Sequence, residues 1–135
     1  AYWYNGYIYG SEIARGLDIL ELSPTKFLSQ NEIDLARSIK VAELNVQDQK
    51  RIVYPKNLLE AKVYIDQLER SQAMTAKQAG ELRKAIEKAE SSKLSAKDAA
   101  KLKTMAAAAE KTPAKTDADS YRVKALSEIL KAPKL

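Results

Sequence analysis

Two large apolar runs flank an Asn-Gly dipeptide near the start of this chain, Tyr2-Trp3-Tyr4 before Asn5-Gly6 and Tyr7-Ile8-Tyr9 after it. Asn-Gly readily supplies the two positive φ values of a type I′ turn, so the stretch reads as a tight β-hairpin. A two-residue turn there sets the register, with Tyr4 opposite Tyr7, Trp3 opposite Ile8 and Tyr2 opposite Tyr9. Side chains alternate faces along a strand, which puts the tyrosines on one face and Trp3 with Ile8 on the other. Neither face is polar. A strand pair apolar on both sides belongs between two further layers. A second turn at Ala14-Arg15-Gly16 leads to a third expected strand, Leu17 to Leu22, carrying Leu17, Ile19, Leu20 and Leu22.

Beyond Pro24 the apolar period changes from two to between three and four. Ser29-Gln30-Asn31-Glu32 is a capping box: the serine hydroxyl takes the Glu32 amide and the Glu32 carboxylate returns to the Ser29 amide. The helix it opens is expected to reach about Leu44, with Leu35, Ala36, Ile39, Ala42 and Glu43 on one stripe and Phe27 or Leu28 stapled to Ile33. Asn45 to Tyr54 reads as a connector with an extended Ile52-Val53-Tyr54. Pro55 suits the first turn of a second helix, about Lys56 to Gln72, striped with Leu58, Ala61, Ile65 and Leu68. Thr75 to Gln78 and Ser95 to Asp98 read as two more capping boxes. They open helices to about Glu90 and to Thr112-Pro113, with Leu94 as a staple for the latter. Gly80, inside the third helix, marks a close crossing. A fifth helix spans about Asp117 to Lys131. The expected fold is α+β: three antiparallel strands followed by a mostly α-helical bundle of about five helices. Many stripe positions are Ala, which lets helices approach closely but buries little area per contact.

The run from Asn5 to Pro24, NGYIYGSEIARGLDILELSP, resembles one unit of the LVIVD-repeat family of secreted and cell-surface β-propeller proteins. Gly16-Leu17, Ile19-Leu20, Glu21-Leu22 and Ser23-Pro24 fall where that unit has Gly-Leu, an aliphatic-acidic strand and a closing Ser-x-x or Ser-x-Pro. Ser and Pro are adjacent here, and Glu21 stands where Asp is usual. The wording YWYNGYIYGSEIARGLD resembles the last unit of bacterial members, which continue into a helical tail. The resemblance covers about twenty residues and implies a fold and a location rather than an activity. It makes residues 1–28 a partial propeller blade, residues 29–135 a C-terminal helical region, and the remainder of a parent propeller the first partner. Ala1 is not an initiator Met, which fits a fragment or a processed product.

Composition narrows the chemistry. There is no Cys, hence no disulfide, thiolate metal site or thiol nucleophile, and no His, the commonest general base and transition-metal ligand. No run approaches the ~18 apolar residues of a membrane span. The four glycines form no phosphate loop, and there is no nucleophile elbow. The remaining acid-base option is Glu12, Asp18 and Glu21 around the second turn. With Arg15 between them, ion pairs and turn hydrogen bonds account for these acids better than a catalytic dyad does. No cofactor and no metal is expected.

The net charge of +5 is uneven: Arg15 and Lys26 against Glu12, Asp18 and Glu21 leave residues 1–29 at −1, and the rest carries +6. The Lys/Ala-rich tract from Lys93 to Lys115 has the composition of a basic tail but lacks the aromatics that stack on bases. Solvated helix faces are the favoured reading, and nucleic acid is disfavoured. Tyr2, Trp3, Tyr4, Tyr7 and Tyr9, with Glu12 and Arg15, form the expected interaction surface, because Tyr and Trp join apolar area to a polar tip. The expectation for function is a non-enzymatic structural or interaction part of a secreted, periplasmic or cell-surface propeller protein, touching protein or cell-surface polymer. The alternative is a basic helical module for an anionic partner, either cell-wall polymer or nucleic acid.

Overall fold

The computed structural model describes residues 1–45, 47–48 and 51–135. The chain divides into two compact units, Ala1–Tyr54 and Pro55–Leu135. The first unit contains strands β1 (Tyr2–Tyr4), β2 (Tyr7–Glu12) and β3 (Gly16–Leu20) and helix α1 (Gln30–Ser38). The strands form one antiparallel sheet in the order β1-β2-β3, so β1 and β3 are its edges. The hairpin register is the expected one, Tyr2 with Tyr9, Trp3 with Ile8 and Tyr4 with Tyr7. Asn5 and Gly6 carry φ of 52° and 104°, the conformation that selects these two residues. β3 begins at Gly16, whose φ is 96°, and pairs Tyr9 with Ile19 and Ile8 with Leu20. It ends at Leu20, two residues earlier than expected.

α1 is capped as its sequence dictates, by a reciprocal capping box between Ser29 and Glu32. It stops at Ser38 and does not reach Leu44. Two competitors for the backbone, one local and one distant in sequence, explain the early end. The Ser38 hydroxyl donates to the Leu35 carbonyl at 2.7 Å. The Asn5 side-chain amide then pairs with Val41 in both directions, donating to its carbonyl at 3.0 Å and accepting from its N–H at 2.8 Å. Those bonds replace the intrahelical ones that a longer helix would offer. Phe27 is 72% exposed with the Lys26 ammonium over its ring, so it is no staple for Ile33; Leu28, half-buried, remains next to the cap. Of the expected connector, Val46, Gln49 and Lys50 lie outside the described residues, and Ile52 and Val53 are exposed.

The second unit is a four-helix bundle of α2 (Leu58–Arg70), α3 (Ala76–Ser91), α4 (Ala96–Ala109) and α5 (Asp117–Lys131). α2 packs against α3 and α5, and α4 packs against the same two, so the four close a ring with short connections between antiparallel neighbours. Its core holds Leu58, Ile65, Leu68, Ile86, Leu102, Leu126 and Leu130, together with the close-packed alanines Ala61, Ala79, Ala89 and Ala106. Leu94, just before α4, packs against this core as expected of a staple.

Three details differ from the sequence reading. Asn57 is the N-cap of α2, so Pro55 lies outside the helix, where its carbonyl accepts the Asn57 N–H at 2.7 Å. Ser95 caps α4, but without a reciprocal box: the Asp98 carboxylate takes the Ser95 hydroxyl at 2.7 Å, and the Ser95 N–H goes to the Ser92 hydroxyl. Aspartate is one methylene shorter than glutamate and does not return to the cap amide. A Cβ built at Gly80 meets nothing within 4 Å, so no helix crosses closely there.

Candidate interaction surface

The aromatic residues singled out in the sequence do come together. Tyr4 and Tyr9 lie diagonally across the hairpin, with ring centroids 6.2 Å apart and planes tilted by 60°. The register places Tyr2, Tyr4, Tyr7, Tyr9 and Ile19 on one face of the sheet and Trp3, Ile8 and Leu20 on the other. The Tyr4 hydroxyl donates to the Ala42 carbonyl at 3.0 Å. Lys40 adds an ammonium bond to the Asn5 carbonyl at 2.8 Å, so the stretch after α1 is tied to the tip of the hairpin. An open groove runs between β1 and this stretch, lined by Tyr2, Trp3, Tyr4, Val41 and Leu44.

The tip is held tightly, Trp3, Tyr4, Ile8 and Tyr9 are half-buried, and the other large side chains of the sheet are exposed. A Cβ on Gly6 would sit 3.1 Å from the Arg37 Cγ, so α1 covers the turn itself. Away from it Tyr2, Tyr7, Leu17, Ile19 and Leu20 are all exposed. Among the described residues of Ala1–Tyr54 the large apolar side chains that are buried are Ile33 and Leu35, both on α1. Tyr2, Tyr7, Leu17 and Ile19 share one face by the strand register, and Leu20 lies on the other.

Glu12 and Arg15 are joined as an exposed turn network. The Glu12 carboxylate accepts the Arg15 backbone N–H at 2.8 Å, and the Arg15 guanidinium reaches Asp18 at 3.2 Å. Asp18 therefore holds Arg15 and not loop amides. Glu21 pairs elsewhere, with Arg37 at 3.5 Å. The three acids flagged in the sequence do not form a dyad.

Three carboxylates in the bundle are buried: Asp98 at the cap of α4, and Glu60 and Asp119, which no sequence motif singled out. Glu60 accepts the Tyr64 hydroxyl at 2.7 Å through one oxygen, while its other oxygen has no hydrogen-bond partner. Burial, and then the bond to Glu60, push the Tyr64 phenol above its ordinary range. Asp119 is fully buried and meets the Arg122 guanidinium at 3.2 Å, while Arg122 also donates to Gln67 at 2.8 Å. Desolvation pulls its carboxyl upward, but the polar side chains around it, with the Arg122 guanidinium on one oxygen, outweigh this and lower it; its other oxygen has no hydrogen-bond partner. Each sits three residues after an N-cap, Asn57 or Thr116, and that spacing was the available signal. They do not cooperate: Glu60 opens α2, whereas Asp119 meets the far end of that helix, about 10–16 Å along its axis. Paired-carboxylate chemistry needs closer groups.

Among the described residues no group of three or more acidic, His or Cys side chains could hold a metal ion, and no helix is long and apolar enough to cross a membrane. No family model, curated protein or solved structure matches the chain.

Proposed function

We propose that this chain is a non-enzymatic interaction module. Its N-terminal sheet supplies strands to a larger β-structure, and its helical bundle is a self-contained appendage. The observation that carries the reading is the exposed sheet. Three strands with apolar side chains on both faces, and only Ile33 and Leu35 as large buried apolar groups among the described residues of that unit, do not make a core. Isolated sheets of this size are marginal, and their open edges pair with other strands. The resemblance of residues 5–24 to an LVIVD-repeat unit makes a β-propeller blade the architecture to be completed, in a secreted, periplasmic or cell-surface setting. Such a blade, covered by neighbours on both faces, would bury Trp3, Ile8 and Leu20 on one side and the tyrosines on the other.

Light scattering and a hydrophobic dye test this on the 135-residue chain. The chain associates or binds dye, and charged substitutions at Leu17 and Ile19 on β3 abolish both while helicity stays intact. A monodisperse chain that binds no dye overturns the reading.

A further inference from the structure

Asn5-Gly6 forms the hairpin turn and is also a chemically reactive pair. The backbone nitrogen of the residue after an asparagine can attack the side-chain Cγ, and attack is easiest where that residue is glycine, which has no Cβ in the way. Asn5 is the only asparagine of the chain that precedes a glycine; Asn31, Asn45 and Asn57 precede Glu32, Val46 and Leu58. The reaction forms a bond from the Gly6 nitrogen to the Asn5 Cγ and breaks the bond from Cγ to Nδ2. The Gly6 amide proton ends, by way of solvent, on the ammonia that departs. Water then opens the cyclic imide at either carbonyl. One opening gives aspartate, and the other gives isoaspartate, whose main chain runs through the former side-chain carbon. Nothing is oxidised or reduced.

The fold holds this site closed. The Asn5 side-chain amide is clamped at both ends, with Nδ2 donating to the Val41 carbonyl at 3.0 Å and Oδ1 accepting the Val41 N–H at 2.8 Å. Cγ cannot turn onto the Gly6 nitrogen, nor Nδ2 depart, while both bonds stand. Gly6 is itself buried, and the Arg37 Cγ lies 3.1 Å from where a Cβ would be, so α1 covers the attacking residue. Lys40 acts in the opposite sense. Its ammonium donates to the Asn5 carbonyl at 2.8 Å and polarises the Asn5–Gly6 peptide, which makes the Gly6 N–H easier to deprotonate. The restraint therefore lies in the Asn5 amide and the Arg37 cover. Two hydrogen bonds of ordinary net worth hold back an opening equilibrium by roughly 5- to 150-fold.

We propose that Asn5 is a site of spontaneous deamidation gated by the Val41 clamp, slow while the clamp is closed and irreversible once it has opened and reacted. Aspartate at position 5 turns an oxygen toward the Val41 carbonyl where the amide supplied a donor. Isoaspartate adds a methylene to a turn whose two-residue length sets the register of Tyr4 with Tyr7. Neither product re-forms the clamp, so the modification records each release of the hairpin tip from the stretch after α1. This goes beyond the reading of the sheet as part of a larger β-structure and does not depend on it, because Asn5, Gly6, Arg37 and Val41 all lie within Ala1–Tyr54.

Peptide mapping by mass spectrometry tests this on the full chain held in mildly alkaline buffer, counting aspartate and isoaspartate at position 5. Conversion in buffer should run at least about fivefold slower than in urea concentrated enough to abolish helicity. Val41→Pro removes the N–H that Asn5 accepts and should speed conversion in buffer by about threefold or more. Tyr4→Phe removes the neighbouring bond to the Ala42 carbonyl but leaves the Asn5 amide as it is, and should change the rate by less than about twofold. A second measurement needs no variant and holds even if Val41→Pro loses its sheet. As urea is raised short of unfolding the bundle, Val41 N–H exchange and conversion at position 5 should rise in the same proportion. The proposal falls if native conversion is as fast as in urea, or if Val41→Pro keeps its sheet and the native rate. Equal acceleration by Tyr4→Phe and Val41→Pro overturns it too, as does Val41 exchange that quickens while conversion does not.

Discussion

Leu102 holds α4 into the bundle, and its removal should be costly. The buried face of α4 consists of Asp98, Leu102, Ala106 and Ala109, so Leu102 is its one large apolar anchor and is 0% exposed. Leu102→Ala removes three carbons, about 2.4 kcal/mol at ~0.8 kcal/mol per buried methylene. The alanines beside it have no rotamers with which to fill the gap, so a cavity cost adds to the transfer cost. The total should lie at roughly 3–5 kcal/mol, the upper part of the range for buried Leu→Ala changes. A bundle of 81 residues is expected to have only about 4–12 kcal/mol of stability to lose. Urea unfolding followed by far-ultraviolet circular dichroism reads this directly. With a slope of about 1.5 kcal/mol per molar, the midpoint should fall by roughly 2–3 M. Trp3, the single tryptophan, lies in the other unit and serves as an internal control. Its fluorescence should not follow the helical transition. A helical midpoint shifted by less than about 0.5 M would refute the packing argument, and Trp3 fluorescence that changes in step with helicity would refute the division of the chain into two units.

Gly80→Ala should raise bundle stability by about 1 kcal/mol, since the position is helical and a Cβ there meets open space; a thermal melt showing loss of stability would place a contact where none is seen. The carboxyl of Asp119 is lowered in the folded bundle, so its stabilising contribution is present above the unfolded value of about 3.9 and is lost as pH falls through the folded value. Asp98, Glu110 and Glu128 are lowered too, so the acid loss is shared; Asp119→Asn should weaken the bundle near pH 7 and flatten its decline below pH 4 relative to the unaltered chain. Urea midpoints measured from pH 2 to pH 7 check this, and parallel curves for the two proteins would remove Asp119 from the network.

Local chemistry wrote much of this fold into the sequence. Asn5-Gly6 determined the hairpin and its register, because only residues tolerant of positive φ make that turn and a two-residue turn leaves no freedom of pairing. Ser29 and Thr75 marked two helix starts through reciprocal caps, since the spacing from hydroxyl to carboxylate or amide is a property of four consecutive residues. The stripe Leu58, Ala61, Ile65 and Leu68 is buried as its spacing requires. Clustering of Tyr2, Trp3, Tyr4, Tyr7 and Tyr9 was legible for the same reason as the register. What lay beyond local chemistry was settled by contacts between distant residues. α1 ends at Ser38 because Asn5, thirty-six residues earlier than Val41, claims the Val41 backbone. Burial of Glu60 and Asp119 depends on which helix lies alongside, since a carboxylate three residues after a cap is exposed or enclosed according to its neighbour. Arg83 of α3 meets Asp66 and Glu69 of α2 for the same reason. Charge pairing across a bundle is a property of its packing, and no window of sequence contains it.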